Sequence, residues 1–233
     1  MFNFIPAKIA ALGLSLLAIT TSVPAMADGI VLAGTRIIYP AESKQVMQSI
    51  RNTSSKSSYL VQTWIESSDG KKTSDFIVTP PLYVSNPKDE NTLRVMYTGK
   101  PLPKDRESLY FFNAKSVPSV DKKSIEGKNV LLLAAVTRVK LFVRPEGLKP
   151  ASKDAPSLLG FSRSQDRMLI KNPTPYYITL VNIKSGNTAL KDTMVAPMSE
   201  ASVTLPRGSG SLITYNTIND HGAISPQKTA VFQ

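Results

Sequence analysis

The sequence has no cysteine and only one histidine, His221, among its 233 residues. Without thiols the chain has no disulfides and no thiolate ligands for structural zinc or an iron–sulfur cluster. One histidine and scattered carboxylates form no metal-binding motif, so we predict no metal and no cofactor. The fold must therefore rest on apolar cores, and these must be large enough to hold it without cross-links.

Catalytic motifs are also missing. The sequence contains no G-x-S-x-G, no H-E-x-x-H, no phosphate-binding glycine loop and no dinucleotide fingerprint. A Ser-His-Asp triad would have to use His221, which stands next to Asp220 in the chain and cannot easily be oriented by it. We therefore predict that the protein is not an enzyme.

No apolar run comparable to the one in the first 27 residues occurs later in the chain. There, a single basic residue, Lys8, precedes the apolar run 9–19, and Ala25-Met26-Ala27 follows. This order is typical of a secretory signal with a small-x-small cleavage site, and the run is too short to span a bilayer comfortably. We predict a signal peptide at 1–27, a mature chain that begins at Asp28, and no membrane embedding.

Acidic residues are in the minority, with 28 Lys and Arg against 17 Asp and Glu. The formal net charge is +11, and removal of Lys8 with the signal peptide takes it to +10. The basic residues are scattered in ones and twos, and an exported protein is separated from the nucleic acid of the cytosol. We predict no nucleic-acid binding; the charge favours solubility or a partner of complementary charge.

Strand patterns dominate the mature sequence. Short runs rich in Val, Ile, Tyr and Thr are separated by clusters of Gly, Pro, Asn, Asp and Ser. No part keeps a 3.6-residue apolar period for three turns, so an all-β chain of sandwich type is predicted. The first run is 30–39 and the longest is 129–143. Trp64, in another run, is expected to pack in a core.

A change of composition divides the chain. The longest run ends at Arg144-Pro145 and is followed by a segment rich in proline, glycine and charge. Such a segment has little to bury and is typical of a linker. We predict an N-terminal domain at 28–146 and a C-terminal domain at 152–233.

The run 129–143 is apolar on both faces, because alternate side chains of a strand point to opposite sides. One row can face the domain's own core: Val130, Leu132, Ala134 and Val136. The other row then needs a second apolar surface: Leu131, Leu133 and Ala135. A central strand covered on both faces and a partner-binding edge strand are equally good interpretations of this pattern.

Seven motifs, in order through both predicted domains, resemble those of the PapD-like chaperones, which assemble pili in the periplasm. They are GTRIIYP (34–40), FIVTPPL (76–82), NTLRV (91–95), DRESLYFFN (105–113), TRVKLFVRP (137–145), NPTPYY (172–177) and INDHG (218–222). The resemblance implies two immunoglobulin-like β-sandwiches in an L-shaped arrangement. The short segment 114–128 and the lack of cysteine resemble the short-loop branch of the family, which serves rod-like pili.

The resemblance also implies a function and its site. Members of the family lend the last strand of the first domain to a pilus subunit that lacks its own, and deliver the subunit to an outer-membrane usher. By position, the lent residues are Leu131, Leu133 and Ala135, although Ala135 is smaller than the residue of many relatives and should fill its pocket less well. Arg36 and Lys140 match the two cations that hold the subunit's terminal carboxylate.

Three more positions match the family's charged network between the domains, which would set their relative angle: Glu107, Arg144 and Asp220. His221 departs from the family pattern, which more often has tyrosine there. A structural pilus subunit or surface adhesin is the main alternative function, and an enzyme or polysaccharide-binding sandwich is the third. Against the main alternative, the chain has two predicted domains and a long last strand in the first.

Overall fold

A computed structural model of the chain describes residues 28–120, 126–127, 129 and 131–233. The signal peptide predicted at 1–27 lies outside these residues, as does Val130. Within the described ranges the structure is made of strands and one short 3₁₀ helix, Ala155–Leu158. In this part of the chain no helix is long and apolar enough to cross a membrane.

The first half of the described chain forms two sheets that enclose a common core. Its strands are β1 (Ile30–Leu32), β2 (Arg36–Pro40), β3 (Val46–Asn52), β4 (Tyr59–Ser67), β5 (Phe76–Thr79), β6 (Leu82–Ser85), β7 (Glu90–Tyr97), β8 (Ser108–Pro118) and β9 (Ala135–Arg144). One sheet has the order β1-β3-β7-β5, and the other has the order β2-β9-β8-β4-β6. Alternate side chains of both sheets point inward, and the fully buried ones include Ile50, Leu93, Val61, Phe112 and Leu141.

The predicted strand 30–39 is in fact two strands. β1 pairs with β3 in one sheet, whereas β2 pairs with β9 in the other. Between them the chain crosses the edge of the sandwich through Gly34, whose φ of +81° favours glycine. The apolar pattern continues across this crossing because both strands contribute to the same core, so composition alone did not reveal the break.

The prediction that Trp64 packs in the core is wrong. In β4 the side chains of Thr63 and Ile65 are buried, and alternation places Trp64 on the opposite, outer face. There its Nε1 donates a hydrogen bond of 2.8 Å to Oε1 of Glu66. The residue types of β4 are compatible with either phase, and the buried row is fixed only by the pairing of the sheet.

The second half of the described chain forms another two-sheet sandwich. Its strands are β10 (Gly160–Ser164), β11 (Arg167–Asn172), β12 (Ile178–Ser185), β13 (Thr188–Ala189), β14 (Thr193–Val195), β15 (Ser199–Thr204), β16 (Leu212–Thr217) and β17 (Lys228–Val231). One sheet has the order β10-β11-β15, and the other has the order β13-β12-β16-β17 with β14 also paired to β12. Its separate core includes Met168, Ile170, Leu180 and Ile213.

Two sandwiches with separate cores confirm the predicted all-β fold of two domains. The domain bounds 28–146 and 152–233 stay a prediction. β9 is the last strand of the first core, and no strand is assigned to 145–159, which contains the 3₁₀ helix. The end of β9 therefore lies where the two domains meet, and its side chains reach both.

Candidate functional site

β9 is shorter than the predicted strand 129–143. It begins at Ala135, where its antiparallel pairing with β8 begins at Ser116. Residues 131–134 precede the strand and have no ladder partner in the described chain. The apolar side chains of this segment do not by themselves keep an extended backbone in a sheet, because the strand also needs a neighbour to accept its hydrogen bonds.

The segment 131–136 is exposed along its whole length. Leu131 is 81% exposed, Leu133 71%, Leu132 51% and Val136 52%, and both alanines between them are exposed as well. The exposed state of Leu131, Leu133 and Ala135 agrees with the prediction that they need a surface from outside the domain. An exposed apolar run of this kind is unusual for a soluble domain and marks an interaction site.

The expectation that Leu132, Ala134 and Val136 face the core is wrong. The side chains of β9 that enter the first domain's core are the odd-numbered Val139, Leu141 and Val143. Phe142, in the other row, is buried as well, but it packs on Tyr177 rather than in this core. Ala135 lies on the same face of the strand as Val139, Leu141 and Val143, but it is exposed. Neither row of the segment 131–136 is buried.

One edge of β9 is only half covered. β8 pairs with β9 along its full length from Ala135 to Val143. On the opposite edge, β2 runs parallel to β9 and pairs only from Lys140 to Arg144. Along 135–139 this edge has no partner strand among the described residues. The register places the first residue of β2, Arg36, beside Lys140, where the covered half begins.

Arg36 and Lys140 are both half-buried and both reach the second domain. Nη1 of Arg36 donates to the backbone oxygen of Ile218 at 3.1 Å. Nζ of Lys140 donates to Oγ1 of Thr179 at 3.2 Å. The structure thus brings the two predicted cations together, with one on each of two adjacent strands.

The surroundings of Arg36 and Lys140 favour the binding of an anion. Burial lowers the pKa of Arg36, and burial together with the charge of Arg36 lowers the pKa of Lys140. Among the described residues no acceptor bonds Nε of Arg36, although this atom is buried. Two partly desolvated cations with unused donors favour the binding of an anion, which would relieve both costs.

The predicted charged network is assembled around Arg144. Its Nε donates to Oε1 of Glu107 at 2.7 Å, and its two terminal nitrogens donate to the two oxygens of Asp220, also at 2.7 Å. Oγ of Ser152 donates to Asp220 at 3.0 Å, and the backbone N–H of Tyr177 donates to Glu107 at 2.8 Å. Residues of both domains thus share one ion-pair network with bidentate geometry.

The two carboxylates of the network differ in their surroundings. The side chain of Glu107 is 1% exposed, and burial raises its pKa in spite of the neighbouring Arg144. Asp220 is more exposed, and its hydrogen bonds from Arg144 lower its pKa. Burial alone would lower the pKa of Arg144, but its bonds to both acids outweigh burial and raise it. Arg144 is therefore the cation that compensates a buried carboxylate.

A cavity of about 440 Å³ lies between the domains beside this network. Arg36, Arg144 and Asp220 line it, and Lys153 and Lys228 of the second domain add further positive charge. The same cavity is lined by the ring of Tyr177, which packs on the ring of Phe142 with centroids 5.6 Å apart. Because the only carboxylates among these lining residues are Glu107 and Asp220, the cavity has an excess of positive charge and an aromatic wall.

Several groups at or near the contact between the two domains were not predicted. The backbone N–H of Glu107 donates to the oxygen of Pro175 at 2.9 Å, and Nδ2 of Asn172 holds the oxygen of Tyr176 at 2.7 Å. The motif 172–177 was noticed as a resemblance, but nothing in it indicated contacts with Glu107. Thr179 is an isolated threonine that no motif marked. Ile218 begins the motif 218–222, but it acts through its backbone oxygen, which the motif did not indicate.

Two family descriptions match almost the whole described chain. Residues 29–149 match "Pili and flagellar-assembly chaperone, PapD N-terminal domain", and residues 154–229 match "Pili assembly chaperone PapD, C-terminal domain". The chain belongs to the PapD family of pilus-assembly chaperones. The resemblance identified in the motifs is thereby confirmed.

Individual PapD-family proteins agree with this. The probable fimbrial chaperone SfmC of Escherichia coli K12 is 48% identical over 200 residues, which cover 86% of this chain and 87% of SfmC. The periplasmic chaperone SfaE has a crystal structure with a TM-score of 0.77 and 43% identity, covering 87% of this chain and 100% of that one. A chain of the complex between the SafA pilin and the SafB chaperone of Salmonella enterica has a TM-score of 0.81 and 27% identity, covering 89% and 98%.

The PapD-family relatives are named chaperones, and this decides between the functions considered from the sequence. The main alternative, a structural pilus subunit or surface adhesin, has no support among the relatives named above. The matched ranges include every candidate site residue named from the sequence, from Arg36 to Asp220. Membership of the family does not test the role of each of these residues.

Proposed function

We propose that this chaperone captures an unfinished pilus subunit by lending it the segment 131–135 as an additional strand. The observation that carries the proposal is the position of the exposed apolar row. Leu131 and Leu133 are exposed in the segment that leads into a strand whose other half carries Lys140, beside Arg36. One strand thus offers both an apolar surface and a charged end. A solved complex of a related chaperone with a pilin supports a pilin as the partner.

The apolar part of the interaction rests on two residues. Full burial of Leu131 and of Leu133 in a subunit groove is worth about 1.5–3 kcal/mol for each side chain. Ala135 has a single methyl group and contributes much less. Among the described residues, 131–134 have no ladder partner, so an incoming strand can use their backbone donors and acceptors as in other cases of strand addition.

The polar part is the proposed binding of the subunit's terminal carboxylate by Arg36 and Lys140. Bonds between ionised groups are stronger than neutral ones, and more so where water is partly excluded. A fixed end also fixes the register of the added strand, since a slip by one residue would exchange the row that enters the groove. The cations therefore select the position, while the leucines supply the buried area.

We further propose that Glu107, Arg144 and Asp220 set the angle between domains bounded at 28–146 and 152–233. Residues 1–27 would direct export, and the captured subunit would pass from the periplasm to an outer-membrane usher. The solved relative SfaE is described as periplasmic, and the A-x-A site before Asp28 supports cleavage.

Co-expression in a periplasm with a pilin from the same genome tests the proposed function. Affinity purification of the chaperone should recover a one-to-one complex, and the chaperone in it should begin at Asp28 by amino-terminal sequencing. A coexpressed periplasmic protein of similar size without a pilin sandwich serves as the control. Recovery of both proteins equally, or of neither, would contradict the proposal, and a chain that keeps Met1 would contradict cleavage.

Capture should weaken at alkaline pH. The pKa of Lys140 in the free protein is lowered from its ordinary 10.5, and a bound carboxylate would raise it again by favouring the charged form. Binding therefore takes up a proton once the pH exceeds the lowered pKa, and affinity should then fall by up to about tenfold per pH unit. Titration of affinity against pH checks this.

The matched variant for that measurement is Lys140→Arg. A guanidinium stays charged throughout the accessible range, so this variant should keep its affinity where the parent loses it. If parent and variant declined in parallel, Lys140 would not be the group that titrates.

A further inference from the structure

Arg36 and Lys140 both donate hydrogen bonds to the second domain. Lys140 donates to Thr179, which lies on β12, and Arg36 donates to the oxygen of Ile218, which follows β16. These two acceptors are themselves neighbours, because the N–H of Ile218 donates to the backbone oxygen of Thr179 at 3.1 Å. A single site of the second domain thus holds two side chains of the first.

The loop that follows Ile218 is fixed at several points. Asp220 accepts hydrogen bonds from both terminal nitrogens of Arg144. The loop is braced internally by Asn219, whose Oδ1 accepts the N–H groups of His221 and Ala223 at 3.0 Å each. A change in the angle between the domains would therefore move Ile218 together with Asp220.

Gly222 brings the same loop against the start of β2. Its φ is +82°, and a Cβ at this position would collide with Oγ1 of Thr35, the residue before Arg36. The contact leaves no room for a side chain. The loop 218–222 thus touches the first domain at two places, Thr35 and Arg144.

We propose that the second domain positions both cations for capture, with the hydroxyl of Thr179 holding Lys140 and the carbonyl of Ile218 holding Arg36. This inference rests on the proposed binding of the subunit's carboxylate by Arg36 and Lys140. It adds a function for the contact between the two domains. Neither group need contact the subunit. Both are positioning groups, and they hold the cations only while the domains meet as observed.

The physical reason lies in the flexibility of the two side chains. Lysine has a long stem with four rotatable bonds, and arginine is similar in length. Ordering them during capture would cost conformational entropy, whereas side chains that are already held lose less when the carboxylate binds. Lys140 keeps two further N–H donors beyond the one that Thr179 accepts, so it can hold its position and still bind an anion.

The test uses the full mature chain and three variants. Thr179→Val removes the hydroxyl at almost constant shape, and Thr179→Ser restores a hydroxyl. Thr217→Val is the matched control, because Thr217 is also a buried threonine, it lies on the adjacent strand β16, and its hydroxyl bonds Ser225 instead of a cation. Circular dichroism establishes that each variant folds, and Thr179→Ala replaces Thr179→Val if valine does not fit.

Two quantities are measured. The first is the pKa of Lys140 in the free chaperone, from the ¹³Cε signal of its side chain, which is assigned with Lys140→Arg. The second is the ratio of affinities for one synthetic peptide, of alternating apolar residues, with a free or an amidated carboxyl end. The ratio isolates the anchor, since apolar contacts are common to both peptides.

In Thr179→Val the pKa of Lys140 should fall below the parent's, because the charged form loses a hydrogen bond. Its preference for the free carboxylate should decrease by about tenfold. Thr179→Ser and Thr217→Val should both stay near the parent. An unchanged pKa in the folded Thr179→Val variant overturns the proposal, as does an equal loss in Thr217→Val.

The outcomes separate this inference from the proposed function. If the parent does not prefer the peptide with the free carboxylate, the proposed binding of the carboxylate by Arg36 and Lys140 is wrong. The difference in the pKa of Lys140 between the parent and Thr179→Val then decides whether Thr179 positions Lys140. If the parent does prefer it and Thr179→Val retains that preference in full, the anchor stands and the positioning role of Thr179 is wrong.

Discussion

Replacement of Leu133 by glutamate should abolish subunit capture and leave the free chaperone folded. Leu133 is 71% exposed, so the substitution disturbs no core of the free protein. In the proposed complex the same side chain enters an apolar groove, where an unpaired carboxylate costs several kcal/mol. Complex recovery with a coexpressed pilin measures the loss, and circular dichroism measures the fold.

Leu132→Glu provides the matched control. Leu132 is the adjacent residue, it is also exposed at 51%, and it belongs to the other row of the segment. The same charge should therefore cost much less there. If Leu132→Glu abolished capture and Leu133→Glu did not, the wrong row would have been assigned to the subunit.

Lys140→Ala separates the anchor from the apolar row. This variant keeps both leucines, yet it should also lose capture, because an unanchored strand can slip in register. Arg36→Ala should behave in the same way. If both folded variants captured and stabilised the pilin as well as the parent does, the leucines would suffice and the carboxylate anchor would be wrong.

Replacement of Arg144 by alanine should have the largest effect on stability. It leaves Glu107, whose side chain is 1% exposed, without its cation and beside the second carboxylate, Asp220. Loss of one partner from a buried ion pair typically costs about 3–5 kcal/mol, and the partial exposure of Asp220 places the expectation at the lower end of this range. We expect a lower melting temperature and a wider distribution of interdomain distances in small-angle scattering.

Arg138→Ala is the control for that measurement. Arg138 lies on the same strand and pairs with Glu66 at 3.1 Å, but both residues belong to the first domain and Arg138 is 43% exposed. An exposed pair contributes about 0–1 kcal/mol, and its loss should leave the scattering profile unchanged. Equal profiles for the parent and for Arg144→Ala would count against a role of the network in setting the angle.

The sequence predicted the parts of the fold that depend on local pattern. Alternating apolar runs indicated strands, and the proline-rich segment after Arg144 indicated a change of domain. It did not predict the phase of β4 or β9, because both rows of each strand carry residues that could be buried. Burial of Thr63 and Ile65 rather than Trp64 is decided by neighbouring strands that are distant in the sequence.

The candidate site was predictable only through motifs that resemble those of the PapD family. That resemblance named five charged residues, and the structure places them together: Arg36, Lys140, Glu107, Arg144 and Asp220. The groups that hold the cations could not be named. Any backbone carbonyl can accept a hydrogen bond, and a threonine in a strand is ordinarily there for its shape, so neither is distinguished by residue type.

The half-covered edge of β9 sets the point at which a strand that pairs with it must end. Five residues, 135–139, lie between the start of β9 and the point where β2 covers the edge, which is about 17 Å of strand at 3.3 Å per residue. The end of a chain that pairs along this edge would lie beside Arg36, and β2 would prevent the chain from continuing along β9. An affinity tag appended to the carboxyl end of a subunit would therefore have to lie where β2 already is, whereas a tag at the other end of the same subunit would meet no such obstacle.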